Sequence, residues 1–350
     1  MIEARMIDRK LRLLPPLIAL ATLALLGCDA SKSASPTPSV ADNGSAESAK
    51  ELADASAAVE VLLAKDRVAE AEVVARALAK RYPSDAGASE LFARVVGIRA
   101  LRDDARAGDP SLEEASAAAQ RASELSPTDA TRAQAAALLL DRAGKRDAAR
   151  VCWKRVATIA LATNDTRFTV AAAIALAAHQ DPESAAALVL QLKQLGEGNA
   201  VLASTRAQIA LASGNPNSAL ADAREAFTSD ASSLEYRLLY ARVLRLCASS
   251  NDAALLLAAL PEASLANPAV AEELALALSA QERFSQAAQA WRRTRVHGVN
   301  ARRLAEEALA RIAAQELSLA AQVLEELRVA PHAEQETHRV EHALRTAAKE

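Results

Sequence analysis

Few residues in this chain have the types and spacing to do chemistry. His338, Glu341 and His342 form the clearest group. Histidines at i and i+4 share one helix face and can both reach a zinc ion, and a glutamate beside them can activate water. A catalytic zinc also needs a third ligand and a walled cleft. Of the remaining histidines, His179 and His297 are scattered, and a turn separates His332 from the pair. A charged terminal helix that happens to carry two histidines is therefore the favoured reading. Asp103-Asp104 and Glu113-Glu114 read as solvated faces rather than acid–base pairs. No glycine-rich phosphate loop is present, and the serines and threonines near turns suit helix caps. Arg242 and Arg245 stand one helical turn apart, a spacing that either grips one carboxylate or leaves both guanidiniums in water. Nothing here argues for an enzyme, a metal or a cofactor.

The elements that carry these residues show a repeat. Ala219, Ala253 and Ala287 lie 34 residues apart, and a further step back reaches Ala185. Small or apolar residues follow at i+4 and i+7: Ala223 and Ala226 after Ala219, Trp291 and Thr294 after Ala287. Looser copies run through Ala71-Ala75-Leu78, Ala115-Ala119-Ala122, Ala149-Trp153-Val156 and Ala320-Leu324-Leu327. Positions i, i+4 and i+7 share one helical face. Another helix of the same kind precedes each turn, as in Ala203-Ala207-Ala210 and Leu274-Ala275-Leu278. Each unit is an αα-hairpin, which cannot bury its apolar face without neighbours. Only 3% of the chain is aromatic, so alanine, the strongest helix former, does most of the packing.

These units resemble the tetratricopeptide repeat, with its alanine early in the second helix, a large residue four later and a closing proline (here Pro83 and Pro127). The resemblance covers roughly residues 50–332 and is strictest at 200–233 and 268–301. The copy at 234–267 departs, with Ser249 and Ser250 in place of the usual glycine and Leu257 and Leu260 at the aromatic and alanine positions. Ala71 and Ala115 are 44 apart, which predicts a long helix around 86–107. The resemblance implies an all-α, right-handed solenoid of about eight hairpins over 51–332, with 333–350 as a polar capping helix. It also implies a concave groove lined by the first helix of each unit. Carried onto this sequence, the groove positions are Val201, Ser204, Gln208 and Leu211; Glu235, Leu238, Arg242 and Arg245; Ala269, Glu272, Leu276 and Ser279; and Gln134, Leu138 and Asp141. The expected partner-binding set is Gln208, Leu211, Leu238, Arg242, Arg245, Glu272 and Leu276.

The N-terminus reads as an address. Arg5, Arg9, Lys10 and Arg12 precede an apolar run, Leu13–Leu26, shorter than the roughly 20 residues of a membrane-spanning helix. It reads as a secretory signal, starting at Met1 or Met6. The run ends in Leu25-Leu26-Gly27-Cys28, which resembles a bacterial lipobox. That implies a signal peptide over 1–27 and acylation of Cys28 as a lipid anchor in the bilayer. By the same resemblance, Asp29 favours the inner membrane, with the folded part facing the periplasm. Residues 28–50 read as the lipidated cysteine and a tether too poor in large apolar residues to fold. Some 20 such residues reach about 25 Å.

Beyond residue 27 the chain carries 37 basic and 42 acidic residues, a net of −5. That is no electrostatic footprint for nucleic acid, and no aromatic platform offers bases a stack. Cys152 and Cys247 fall on units three apart, and repeats touch only their neighbours, so both read as packing residues rather than a disulfide. The expected function is an envelope scaffold that holds a protein or peptide segment. The alternative is a solenoid that guides a polysaccharide, or serves an envelope enzyme, with Tyr236 and Tyr240 as its stacking residues.

Overall fold

The computed structural model describes residues 43–350 except 103, 104, 106, 298, 299, 331, 332, 349 and 350. The expected signal segment, Cys28, Asp29, Asp103, Asp104 and His332 therefore lie outside the described residues. The described residues are all-α, with no strand. They fall into two compact units, one ending at Leu192 and the other starting at Lys193.

The first unit is built of α1 (Asn43–Ala64), α2 (Val68–Arg81), α3 (Ala86–Arg102), α4 (Pro110–Leu125), α5 (Ala130–Arg142), α6 (Arg146–Thr163), α7 (Thr166–Ala178) and α8 (Pro182–Gln194), whose last turn meets the division. The second holds α9 (Asn199–Ala212), α10 (Pro216–Ser229), α11 (Leu234–Leu246), α12 (Ser250–Ala258), the single-turn α13 (Glu262–Leu265), α14 (Pro268–Ser279), α15 (Phe284–Arg293), α16 (Ala301–Ala313), α17 (Leu317–Arg328) and α18 (Glu334–Ala347). From α1 to α7 each helix packs on its successor; from α9 to α18 the same holds, with α12 reaching past α13 to α14. First helices also touch the next first helix, α9 with α11 and α11 with α14.

The alanine register is the packing register. Ala71, Ala115, Ala149, Ala185, Ala219, Ala253, Ala287 and Ala320 are all at 0% exposure. Each stands near the start of a second helix. The larger residues four later, Trp153, Leu257, Trp291 and Leu324, are buried beside them. A methyl group lets two helix axes come close, and the large side chain fills the space one turn on.

The turn inside seven of the hairpins is equally repetitive. Asp66, Gly144, Gln180, Gly214, Ala248, Glu282 and Gln315 have φ between 59° and 79°. In each case the next residue's N–H donates to the carbonyl five positions back, from Arg67 to Leu62 through Asn215 to Ala210 and Glu316 to Arg311, at 2.8–3.1 Å. This is the Schellman closure, which satisfies a carbonyl orphaned at the helix end. In the copy at 234–267 the left-handed residue is Ala248, one before the serines expected to replace the glycine. Side-chain caps open the first helices, with Asp129, Asp165, Ser233, Asn267 and Asn300 each accepting from a backbone N–H of the first turn.

Two boundaries differ from or refine the sequence reading. Helix α1 begins at Asn43, so the expected tether enters the fold before residue 50. Ala46, Glu47, Ala49 and Lys50 are strong helix formers, and they lead straight into Leu52 and Ala55, which pack on the first core. Helix α3 starts at the expected place and runs 17 residues to Arg102, short of the expected 107. At the far end, α18 lays Val340 into the core of α16 and α17 while its other faces stay polar. Among the described residues no helix is long and apolar enough to cross a membrane.

The turns make a test. An L-residue in the left-handed region costs roughly 1–2 kcal/mol, partly offset by glycine's freer unfolded chain. Ala248→Gly is expected to raise stability by about 0.5–1 kcal/mol in urea unfolding. Gly214→Ala, at a site with open space around its Cα, is expected to lower it by about 1 kcal/mol.

Candidate functional site

The expected partner-binding set stands on first helices of the second unit, and Gln134, Leu138 and Asp141 stand on α5 of the first; most already have partners. On α9, Gln208 is buried and Leu211 is half-buried against the Ala207–Ala219–Ala223 core. Leu238 of α11 and Leu276 of α14 are half-buried on the next core. Glu272 of α14 pairs with Arg303 at 3.2 Å and with Arg302 at 3.7 Å, both from α16.

Arg242 and Arg245 do grip one carboxylate, but it belongs to the chain. Arg242 Nε donates to Glu273 at 3.3 Å and Arg245 Nε at 2.5 Å. Glu273 is 3% exposed, and a carboxylate buried that deeply needs counter-charge. The guanidiniums supply it across the α11–α14 step. The pair is thus a stitch between neighbouring hairpins.

Such stitches recur at a separation of 31 residues, one repeat less a turn. Arg303 reaches Glu272, Ser285 reaches Glu316, Arg295 reaches Glu326 and Gln281 reaches the Ser250 carbonyl. The most buried centre is Glu307 of α16, at 1% exposure, which accepts from Arg311 at 3.0 Å and pairs with Arg295. In the first unit, Asp141 accepts from Trp153 Nε1–H at 2.9 Å and pairs with His179 Nε2 at 2.8 Å, tying α5 to α6 and to the end of α7. Lys154 and the Ser184 hydroxyl and N–H hold the Asp181 carboxyl down at about 2.

The other candidates have structural surroundings. His338 and His342 are exposed on α18. Glu341 accepts from Arg328 at 2.7 Å, and that bond holds its carboxyl below the usual range. Among the described residues no three His, Cys, Asp or Glu side chains gather as a metal site. Glu114 is gripped by Arg76, and Glu113 pairs with Lys145. Cys152 and Cys247 are free thiols, both pushed up by burial. Tyr240 stacks on Phe227 with ring centres 5.7 Å apart, and burial raises the Tyr236 phenol.

The first unit holds a crevice that the sequence reading touched only at Leu138. Gly97, Ile98 and Leu101 of α3, Ala119 of α4, and Leu138 and Leu139 of α5 line a cavity of about 100 Å³. Its rim is charged but paired: Arg132 donates to Glu90 at 2.8 Å and to Ser126 at 2.7 Å, and Arg94 pairs with Glu60. Arg94 Nε is buried without an acceptor. The drifted spacing of residues 86–125 kept these residues out of the repeat-based groove set. The available signal was Gly97, a glycine in the middle of a helix.

The Glu273 stitch yields a prediction. Glu273→Gln leaves two guanidiniums facing a neutral amide in a mostly buried site, and is expected to cost about 2–3 kcal/mol in urea unfolding. Glu262→Gln, whose carboxylate is 75% exposed, is expected to change stability by less than about 0.5 kcal/mol.

No protein-family model matches this sequence, and no curated protein sequence matches it. Solved structures do. A tetratricopeptide repeat protein from Parabacteroides merdae ATCC 43184 aligns over 86% of this chain and 99% of its own, at 13% identity and a TM-score of 0.50. Yeast Tom70 aligns over 94% of this chain and 69% of its own, at 14% identity and a TM-score of 0.60. At these identities the likeness is one of fold: the chain has the architecture of tetratricopeptide-repeat proteins.

Proposed function

We propose that the protein is a scaffold of the bacterial cell envelope that holds a protein or peptide segment on the first helices of its hairpins. The observation that carries this reading is the α3–α4–α5 crevice, an apolar opening between two successive first helices. Elsewhere the first helices spend their charged groups on one another, as at Glu273 and Glu272. A partner is therefore held by shape and apolar contact more than by charge. The stack of Tyr240 on Phe227 gives that ring an internal partner, which favours the protein-binding reading over a polysaccharide guide.

Membrane attachment is the second part of the proposal, and its support is sequence. Arg5, Arg9, Lys10 and Arg12, the Leu13–Leu26 run and Leu25-Leu26-Gly27-Cys28 together make an acylation signal. Cys28 then carries the lipid at the start of the expected 28–50 tether, and the hairpins face the periplasm. Asp29 inclines the placement to the inner membrane.

Site-specific photo-cross-linking in cells tests the binding face. A photo-reactive residue at Leu139 or Leu276 is expected to give discrete protein adducts, and one at Val73 or Leu255, both exposed on second helices, is expected to give none. Adducts from the second-helix positions alone would contradict the reading. Radiolabelled palmitate tests the anchor: label is expected on the native chain and absent from Cys28→Ser, and equal labelling of both would remove it.

A further inference from the structure

Three features of the α3–α4–α5 crevice belong together. Gly97 sits deep within α3, where glycine costs about 1 kcal/mol of helix stability relative to alanine. Neither backbone nor packing demands it. A Cβ at this position would meet Leu139 Cδ2 at 3.4 Å, an ordinary contact. The missing methyl leaves room. The cavity of about 100 Å³ is larger than the ~30 Å³ share of one water and smaller than the ~150 Å³ that holds a benzene ring. That is the scale of one branched aliphatic side chain. The third feature is Arg94, which lines the crevice: its Nε is buried and without an acceptor, while the same guanidinium is held by Glu60. An unmet buried donor costs about 1–3 kcal/mol.

The rim also says what surrounds that side chain. Arg94 faces Glu60 and Arg132 faces Glu90, so the cations are already balanced by anions. A charged occupant would have to break one of these pairs. A neutral oxygen breaks neither and gives Arg94 Nε the acceptor it lacks.

We infer that the crevice is an insertion pocket for one leucine- or isoleucine-sized side chain of a bound polypeptide segment, uncharged around that anchor, whose neighbouring backbone carbonyl accepts from Arg94. This rests on the reading of the protein as a binder of polypeptide segments, and names where and by what chemistry it binds. The apolar walls supply affinity. The single donor fixes which backbone position lies beside the anchor.

A phage-displayed random peptide library, panned on the immobilised full-length chain, tests this. Enriched peptides are expected to share a leucine, isoleucine or methionine at one position, without a flanking charge. Gly97→Leu fills the cavity and is expected to weaken those peptides at least tenfold. Gly97→Ala guards against a folding artefact: it is expected to raise the unfolding midpoint through helix propensity while weakening the same peptides about threefold. Arg94→Met is expected to weaken them about fivefold. Peptides without a shared apolar position, or with equal affinity for the native chain and both Gly97 variants, would overturn the pocket and leave the scaffold reading standing. No enrichment on any form would overturn both.

Discussion

Two helices can approach closely only where neither carries a side chain beyond its first carbon at the point of crossing. That steric limit organises this molecule. Alanine stands at the crossing in every hairpin and is fully buried there from Ala71 to Ala320. In four of the hairpins the bulk that alanine lacks is supplied one turn later by tryptophan or leucine, at Trp153, Leu257, Trp291 and Leu324. The rest depends on that spacing: the left-handed turn residues fall 34 apart from Gln180 to Glu282, and several polar stitches fall 31 apart because equivalent parts of neighbouring hairpins are held alongside each other.

The stitches explain how so alanine-rich a core stays specific. Alanine contacts are small and similar everywhere, and so poor at setting register. A buried carboxylate is not, because it is costly unless its cation is in place. Glu273 with Arg242 and Arg245 links neighbouring hairpins, Glu307 with Arg295 ties α16 to the segment before it, and Asp141 with Trp153 and His179 ties α5 to α6 and to the end of α7. Using those charges internally leaves little for a partner. What remains is shape, as in the crevice that Gly97 lines.

Much of the fold was legible in the sequence because its physics is local. The i, i+4, i+7 pattern gave the buried faces, and its 34-residue period gave the hairpin register. The caps at Asp129, Asn267 and Asn300 are ordinary helix starts. The candidate site was less legible for a reason that is not local. Arg242 and Arg245 carry the spacing of a carboxylate clamp, but the carboxylate that fills it is 31 and 28 residues away on another helix. Only packing reveals that partner. The crevice escaped because Ala71 and Ala115 stand 44 apart, which puts residues 86–125 out of the 34-residue register. The turn at Ala248 was misplaced by one residue, since a Ser-Ser pair resembles a turn more than an alanine does. Helix α1 reached back to Asn43 because helix propensity outweighed the polar composition that marks a tether.

Unfolding of Ala253→Leu in urea tests the central constraint most directly. Ala253 lies between α11 and α14 in the core of the second unit, and the substitution adds three buried carbons. Simple burial would stabilise by about 0.8 kcal/mol for each. A crossing that admits only a methyl instead forces the helices apart, and a loss of about 1–3 kcal/mol is expected. Unchanged or increased stability would contradict the account, because the alanine would then be filler and not the contact on which the register rests.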